Sequence, residues 1–344
     1  MPERTPGPLN SSVHRVTFRG TVRFGDPDLE TGTYLVVYGR QVEHWPGFDV
    51  LMRGGVRSFR LKERPSRADL VAIEDVLDRS PVPFVVGLGD GVVLDLVKLA
   101  TLKRGCKRVL VPAGAEPWRA VTGFATIDNG DRTRTSLADD RLGVADVTIV
   151  PEWWQAEPRA SAALHRLDST IHAVESLLSK CSQPLSAALA ESALARLGTG
   201  SAPTEGILGA FLAAEAFGST KLGIAHALAS PLGAALGISH DTINCVLGCH
   251  LPAFWSEDRV AWARISEAMG ITAGPAAITE RFDSQREIAG LPRTLRELGI
   301  GWEVVAGVID RAARSSGIPW LPRSIERDGI LAFARLVWSG SQAS

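Results

Sequence analysis

Cysteine is scarce in this sequence: Cys106, Cys181, Cys245 and Cys249 are the four in 344 residues, and no C-x-x-C pair occurs among them. That excludes a disulfide framework and a zinc ribbon as the basis of the fold. An excess of one charge is also lacking, since 37 Lys and Arg stand against 38 Asp and Glu and leave a formal net charge of -1. No basic surface large enough to follow a phosphate backbone is expected, so nucleic acid is excluded as the principal partner. Long apolar runs are absent as well. The small-residue region 206–237 is interrupted by Glu215, Lys221 and His226, and a membrane span needs about 20 apolar residues. Residues 1–10 are polar and contain proline, without the charged, apolar and small-residue order of a secretory signal. A cytoplasmic protein without a membrane partner is predicted.

The length suits two domains of roughly 100–200 residues each, and two domains create a cleft. Residues 13–25 (VHRVTFRGTVRFG) alternate and are β-branched, and 34–38 (YLVVY) is an apolar run ending at Gly39; both read as strands. Helical periodicity covers 67–79. A short buried strand at 84–86 runs into Gly87-Leu88-Gly89-Asp90-Gly91 and an apolar helix to about residue 103. Residues 108–111 and 147–150 are further strands, with 122–128 between them. Such alternation predicts a parallel sheet covered by helices. After Pro151, Ala/Leu-rich helical segments take over, broken by Gly and Pro at 201–203, 237, 252, 290–292 and 317–319. The expected division is an α/β domain over 1–151 and an all-α domain over 152–344.

Asp168 and His172 lie at i and i+4 in RLDSTIHAVESLLS, so both project from one helical face, and Glu175 follows three residues further along it. His226 lies in GIAHALASPLGAALG and His240 in GISHDTIN, beyond Pro231 and Gly237. A helix, a turn and a new helix start can bring both imidazoles inward. One carboxylate with imidazole nitrogens suits Fe²⁺ or Zn²⁺, because Mg²⁺ and Ca²⁺ prefer oxygen shells. Each part taken singly is more often a core histidine or a chance pair than a ligand. Cys245 and Cys249 share a helical face and read as packing residues.

Gly89-Asp90-Gly91-Val92 joins a strand to a helix, where backbone N–H groups and the positive helix end can meet a pyrophosphate; a tight connection without ligand is the alternative. In residues 112–120, Trp118 and Arg119 offer stacking and a charge-assisted bond to a phosphate or an acidic substrate, with surface decoration as the alternative.

Taken in order, LDSTIHAVES, GIAHALASPLGA and GISHDTINCVL resemble the iron-containing alcohol dehydrogenases, which include maleylacetate reductases and are related to glycerol dehydrogenases and dehydroquinate synthases. The similarity continues through GDGVVLDLVK (89–98), AVTGFATID (120–128), GLPRTLRELGI (290–300) and the final LPRSIERDGILAFARLVW, and so covers nearly the whole chain. The resemblance implies a dinucleotide-binding α/β domain, a helical domain and an active site between them. It implies a divalent metal on Asp168, His172, His226 and His240. It further implies NADPH or NADH at Gly89, Asp90, Gly91 and Val92, with Asp95 and Lys98 supporting the turn. Gly39 and Arg40 fall where the family holds the adenosine ribose with an acidic residue, which predicts NADPH over NADH. The activity implied is reduction of a small aldehyde or ketone, the metal polarising its oxygen; a non-redox metal-dependent cyclase or lyase is the alternative, and a homodimer is left open.

Several positions depart from the family. Gly89-Asp90-Gly91-Val92 stands for a usual Gly-Gly-Gly-Ser, and residues 112–120 lack the hydroxyls of the family's Pro-Thr-Thr loop. Ser230 replaces a proton-relay histidine, and it has no pKa near neutrality. Residues 128–132 lack the lysine motif of the synthases.

Overall fold

The structure, a computed structural model, describes residues 20–25, 33–45, 47–52, 57–114, 116–131, 133–155, 157–199, 203–221, 223–272 and 275–340. Its strands are β1 (Thr21–Phe24), β2 (Leu35–Tyr38), β3 (Arg57–Arg60), β4 (Phe84–Gly89), β5 (Lys107–Pro112), β6 (Phe124–Asp128), β7 (Arg134–Ala138) and β8 (Asp146–Ile149). Six of them form one parallel sheet in the order β1-β8-β5-β4-β2-β3. Every residue of β2 and β4 is buried, as expected of strands covered by helices on both faces. At the sheet edge, β3 reads RSFR and is largely exposed, so no apolar run announces it. The expected strand over 13–25 is represented by β1; residues 13–19 lie outside the described residues.

Among the described residues the helices of this half are α1 (Phe48–Leu51), α2 (Arg67–Arg79) and α3 (Gly91–Thr101). A capping box starts α2, in which the Ser66 hydroxyl accepts from Ala68 N–H and Asp69 reaches back to the Ser66 N–H. The segment expected between β5 and β8 leaves the main sheet: β6 pairs antiparallel with β7 in a separate hairpin.

From residue 151 the described chain is helical: α4 (Pro151–Gln155), α5 (Arg159–Leu178), α6 (Pro184–Thr199), α7 (Pro203–Thr220), α8 (Ile224–Leu236), α9 (His240–Gly248), α10 (Leu251–Phe254), α11 (Arg259–Ala268), α12 (Pro275–Ile288), α13 (Trp302–Ala313) and α14 (Arg327–Ser339). Most of these share one apolar core. α7 joins both cores, with Ala213 and Ala216 in this one and Ile207, Phe211, Ala214 and Phe217 packed with Trp118, Trp154 and residues of the α/β half; α4 packs on the α/β side through Trp153 and Trp154. Strands end near residue 150, but the apolar core does not divide there.

Two consequences position the site. The connections after β2 and β4 leave in opposite directions along the sheet, so the carboxyl ends of these neighbours flank the crevice where open α/β sheets take ligands. Gly39 follows β2, and Gly89 to Gly91 follow β4. In the helical half, α5, α8 and α9 meet behind Trp118. Among the described residues no single helix is long and apolar enough to cross a membrane; α7 and α8 pass such a test only as a pair bent by 101°.

Candidate metal centre and nucleotide turn

Asp168, His172 and Glu175 occupy the buried face of α5. Glu175 ties this helix to the start of α8, where its carboxylate accepts from Gly223 N–H at 3.0 Å and Ala225 N–H at 2.8 Å. No side chain of the α8 N-cap does this work, so a neighbouring helix supplies the acceptor that orphan N–H groups need. Gly223 is required by the same contact, because a Cβ there would stand 2.3 Å from the Glu175 carboxyl carbon. The same Oε2 that accepts from Gly223 lies 2.6 Å from His226 Nδ1.

That bond takes the hydrogen on Nδ1 of His226 and turns its Nε2 toward the other side chains of the trio. In His172, Nδ1 donates to the Asp168 carbonyl at 2.8 Å, leaving its Nε2 bare. The two Nε2 atoms face each other at 2.9 Å. Two nitrogens so placed repel unless a proton or a metal ion lies between them. Tetrahedral ligands at about 2.0–2.1 Å from Zn²⁺ are themselves roughly 3.3 Å apart, close to this spacing. Asp168, His172 and His226 offer ligand atoms that all lie within 4.8 Å of one another. The donor set therefore fits a divalent ion.

Asp168 is held from both sides: Asn244 donates to Oδ1 at 2.8 Å and the Trp118 indole N–H to Oδ2 at 3.0 Å. The Trp118 ring also packs on His172, with centroids 4.7 Å apart, and on Phe217 at 5.5 Å. His240 begins α9 and flanks the trio, its ring centroid 5.3 Å from that of His226. Its nitrogens are not among the converging ligand atoms of the other three. Burial drives His172 and His240 well below the ordinary imidazole pKa, so both are neutral and have lone pairs to give. Burial pushes the Asp168 carboxyl up, a shift that a bound cation would oppose. Ser230, one turn beyond His226, is exposed.

The nucleotide turn is arranged otherwise than its sequence suggests. Gly89 has φ +152°, and Asp90 is the N-cap of α3. Asp90 Oδ1 accepts from Val92 N–H at 3.1 Å and Val93 N–H at 3.2 Å, and Gln41 donates to its other oxygen at 3.0 Å. Arg119 lies over Gly91, paired with Asp95 and, at 2.9 Å, with Glu116. Lys98 donates to Asp95 and to the Arg119 carbonyl, both at 2.9 Å, and so braces this loop from beneath. Gly39 is covered by the Gln41 side chain, while Arg40 is exposed. The structure thus assigns Trp118 to the metal trio and Arg119 to two carboxylates, in place of the expected contacts with phosphate or an acidic substrate.

Sequence reasoning placed Glu175 on the right face but gave it no role, and it missed Asn244 and Glu116. The signal for Glu175 was its spacing from His172; Asn244 gave none, being one of several polar residues in the first half of α9.

A parallel sheet with a ligand crevice, joined to a helical half that holds a carboxylate and imidazoles around one point, defines a class of two-part metal-dependent enzymes. Residues 162–337 match the Fe-containing alcohol dehydrogenase family, C-terminal, and the chain belongs to this family of oxidoreductases. Long-chain-alcohol dehydrogenase 1 of Geobacillus thermodenitrificans is 26% identical over 301 residues, 80% of this chain and 70% of that protein. Maleylacetate reductase of Pseudomonas knackmussii is 26% identical over 277 residues, 76% and 75% of the two chains. The fold is that of maleylacetate reductase from Agrobacterium tumefaciens (TM-score 0.82, 19% identity, 97% of this chain and 100% of that one). It is also that of sulfoacetaldehyde reductase from Bifidobacterium kashiwanohense in complex with NAD⁺ (TM-score 0.81, 16% identity, 96% and 100%). Family membership implies a divalent metal and NAD(H). The residues present fit the metal; at the pyrophosphate end they do not fit the nucleotide.

Proposed function

We propose that this chain is a metal-dependent alcohol dehydrogenase or carbonyl reductase acting on a small-molecule alcohol, aldehyde or ketone. The observation that carries the reading is the facing pair of Nε2 atoms of His172 and His226, 2.9 Å apart beside Asp168, each ring held at Nδ1 by a hydrogen bond. Asp168, His172 and His226 would hold Fe²⁺ or Zn²⁺, and His240 is the neighbour able to complete the set. When bound, the ion supplies Lewis-acid polarisation of the substrate oxygen. The chain's residues do the rest: Glu175 aims His226, Trp118 and Asn244 aim Asp168, and Trp118, Phe217 and Phe124 exclude water around the trio. The family implies NADPH or NADH as hydride carrier; the reductase reading requires the turn at Asp90 and Arg119 to admit one of them, and Arg40, without an acidic neighbour at Gly39, would then favour NADPH.

Protein reconstituted with Fe²⁺ or Zn²⁺ should hold about one ion per chain and turn over a carbonyl substrate from a panel with a hydride donor. Absence of any bound ion after reconstitution would sink the reading. A second reading is favoured by the occupied turn at Asp90 and Arg119: a non-redox cyclase or lyase that uses the same metal centre. A product of the same oxidation level as its substrate would identify it.

A further inference from the structure

We propose that the chain has filled its own dinucleotide seat, so that the carboxylate of Asp90 and the guanidinium of Arg119 stand where a pyrophosphate would bind. Three parts of the crevice support this independently. At the end of β4, the first free N–H groups of α3 are the natural partners of a phosphate; here Val92 and Val93 already donate to Asp90. Those donors are spent. A bound phosphate would have to displace the carboxylate or lie beside it. Beside it, a unit charge about 5 Å away at an effective dielectric near 20 lowers affinity on the order of a hundredfold.

Gly91 supplies the second part. A glycine at this point normally lets a pyrophosphate approach the backbone. In this chain a Cβ at Gly91 would lie 2.3 Å from Arg119 Cδ and 2.9 Å from Glu116 Cβ. The space that glycine opens is taken by protein, and the residue is explained by the arginine stem alone.

Third, the two terminal nitrogens of Arg119 are already committed to carboxylates, which leaves its Nε beside Gly91 as a buried donor without a partner. The guanidinium is buried between Asp95 and Glu116, while Asp95 also receives Lys98 and the Thr126 N–H at 2.9 Å. Two acids and two bases form a closed set whose formal charges cancel. Glu116 holds its place with a left-handed backbone, φ 54°, that a side-chain-bearing residue seldom adopts. Gln41 closes the opposite edge, over Gly39, by donating to Asp90.

This inference is independent of the metal centre, which makes metal content its internal control, and it weighs toward the non-redox use of that centre and against the reductase. Native, metal-loaded protein is titrated with NADPH and with NADH by tryptophan fluorescence, and exchange of the Val92 and Val93 amides is followed by mass spectrometry or NMR. No saturable binding is expected up to about 1 mM, and no change in amide exchange. The variant Asp90→Gly/Arg119→Ser, with metal content equal to native, should bind roughly a hundredfold more tightly than native. Saturable native binding below about 1 mM, or protection of Val92 and Val93 by either nucleotide, would overturn the proposal. So would a folded double variant that binds no better than native. Should that variant not fold, the single Asp90→Gly change and the native titration decide the matter.

Discussion

The carboxylate of Glu175 meets Nδ1 of His226 at 2.6 Å while its oxygens also receive two N–H groups at the start of α8. One side chain thereby sets where the helix begins and which imidazole nitrogen faces the trio. Carboxylates that orient metal-bound histidines typically contribute 10–100-fold to metal affinity. Glu175→Gln should lower affinity for Fe²⁺ or Zn²⁺ by about that range, measured by competition with a chelator. Unchanged affinity would show that the position of α8, not the charge, holds His226.

His226 and His240 should not respond alike. His226 stands inside the cluster of converging ligand atoms and His240 flanks it. Alanine at His226 should abolish stoichiometric metal, and alanine at His240 should leave a weaker but measurable site. Equal loss in both, by metal analysis after gel filtration, would mean that His240 is a full ligand and moves inward when the ion binds.

Trp118→Phe should separate the indole's two roles. Phenylalanine keeps an aromatic ring against His172 and Phe217 but removes the N–H held by Asp168. The expected loss is about 1.5–3 kcal/mol of interaction with a charged acceptor, read as weaker metal binding with a nearly unchanged Tm. Trp118→Ala, by contrast, should cost roughly 3–5 kcal/mol of stability. Identical metal affinity in native and Trp118→Phe protein would contradict the positioning role.

A pH effect follows from Glu116. Burial pushes its carboxyl from the ordinary 4.5 up to about 7, even with Arg119 beside it. The folded state therefore holds more protons than the unfolded state between these values, so stability falls as pH rises through that window. At about 1.36 kcal/mol per pH unit the ceiling is roughly 3 kcal/mol, present at acid pH and lost above the folded pKa. Thermal melts from about pH 5 to about pH 8 should show this slope reduced in Glu116→Gln. Parallel curves for the two proteins would refute it.

How legible was this in the sequence? The central strands β2 and β4 were plain because they are buried on both faces and so are apolar throughout. The edge strand β3 and the hairpin partner β7 are mostly exposed, and burial is what writes a strand pattern. The trio Asp168, His172 and His226 was legible through helical spacing and motif. The state of the nucleotide turn was only half legible. Asp90 was visible as an odd residue in a glycine motif, but that Arg119 lies over Gly91 depends on a contact across 28 positions, which no local pattern encodes.

The apolar layer around α7 bears on how the centre is reached. Ile207, Phe211, Ala214 and Phe217 belong to the helical half by sequence and to the α/β core by packing. Swinging the halves apart about residue 151 would bring these side chains and their partners into water, at about 1.5–3 kcal/mol for each large one. Together that rivals a whole domain's stability of about 5–15 kcal/mol. A wide hinge is thus nearly as costly as melting. The segment bearing Glu116, Trp118 and Arg119 touches both the metal residues and the nucleotide turn, so the two sites share one wall.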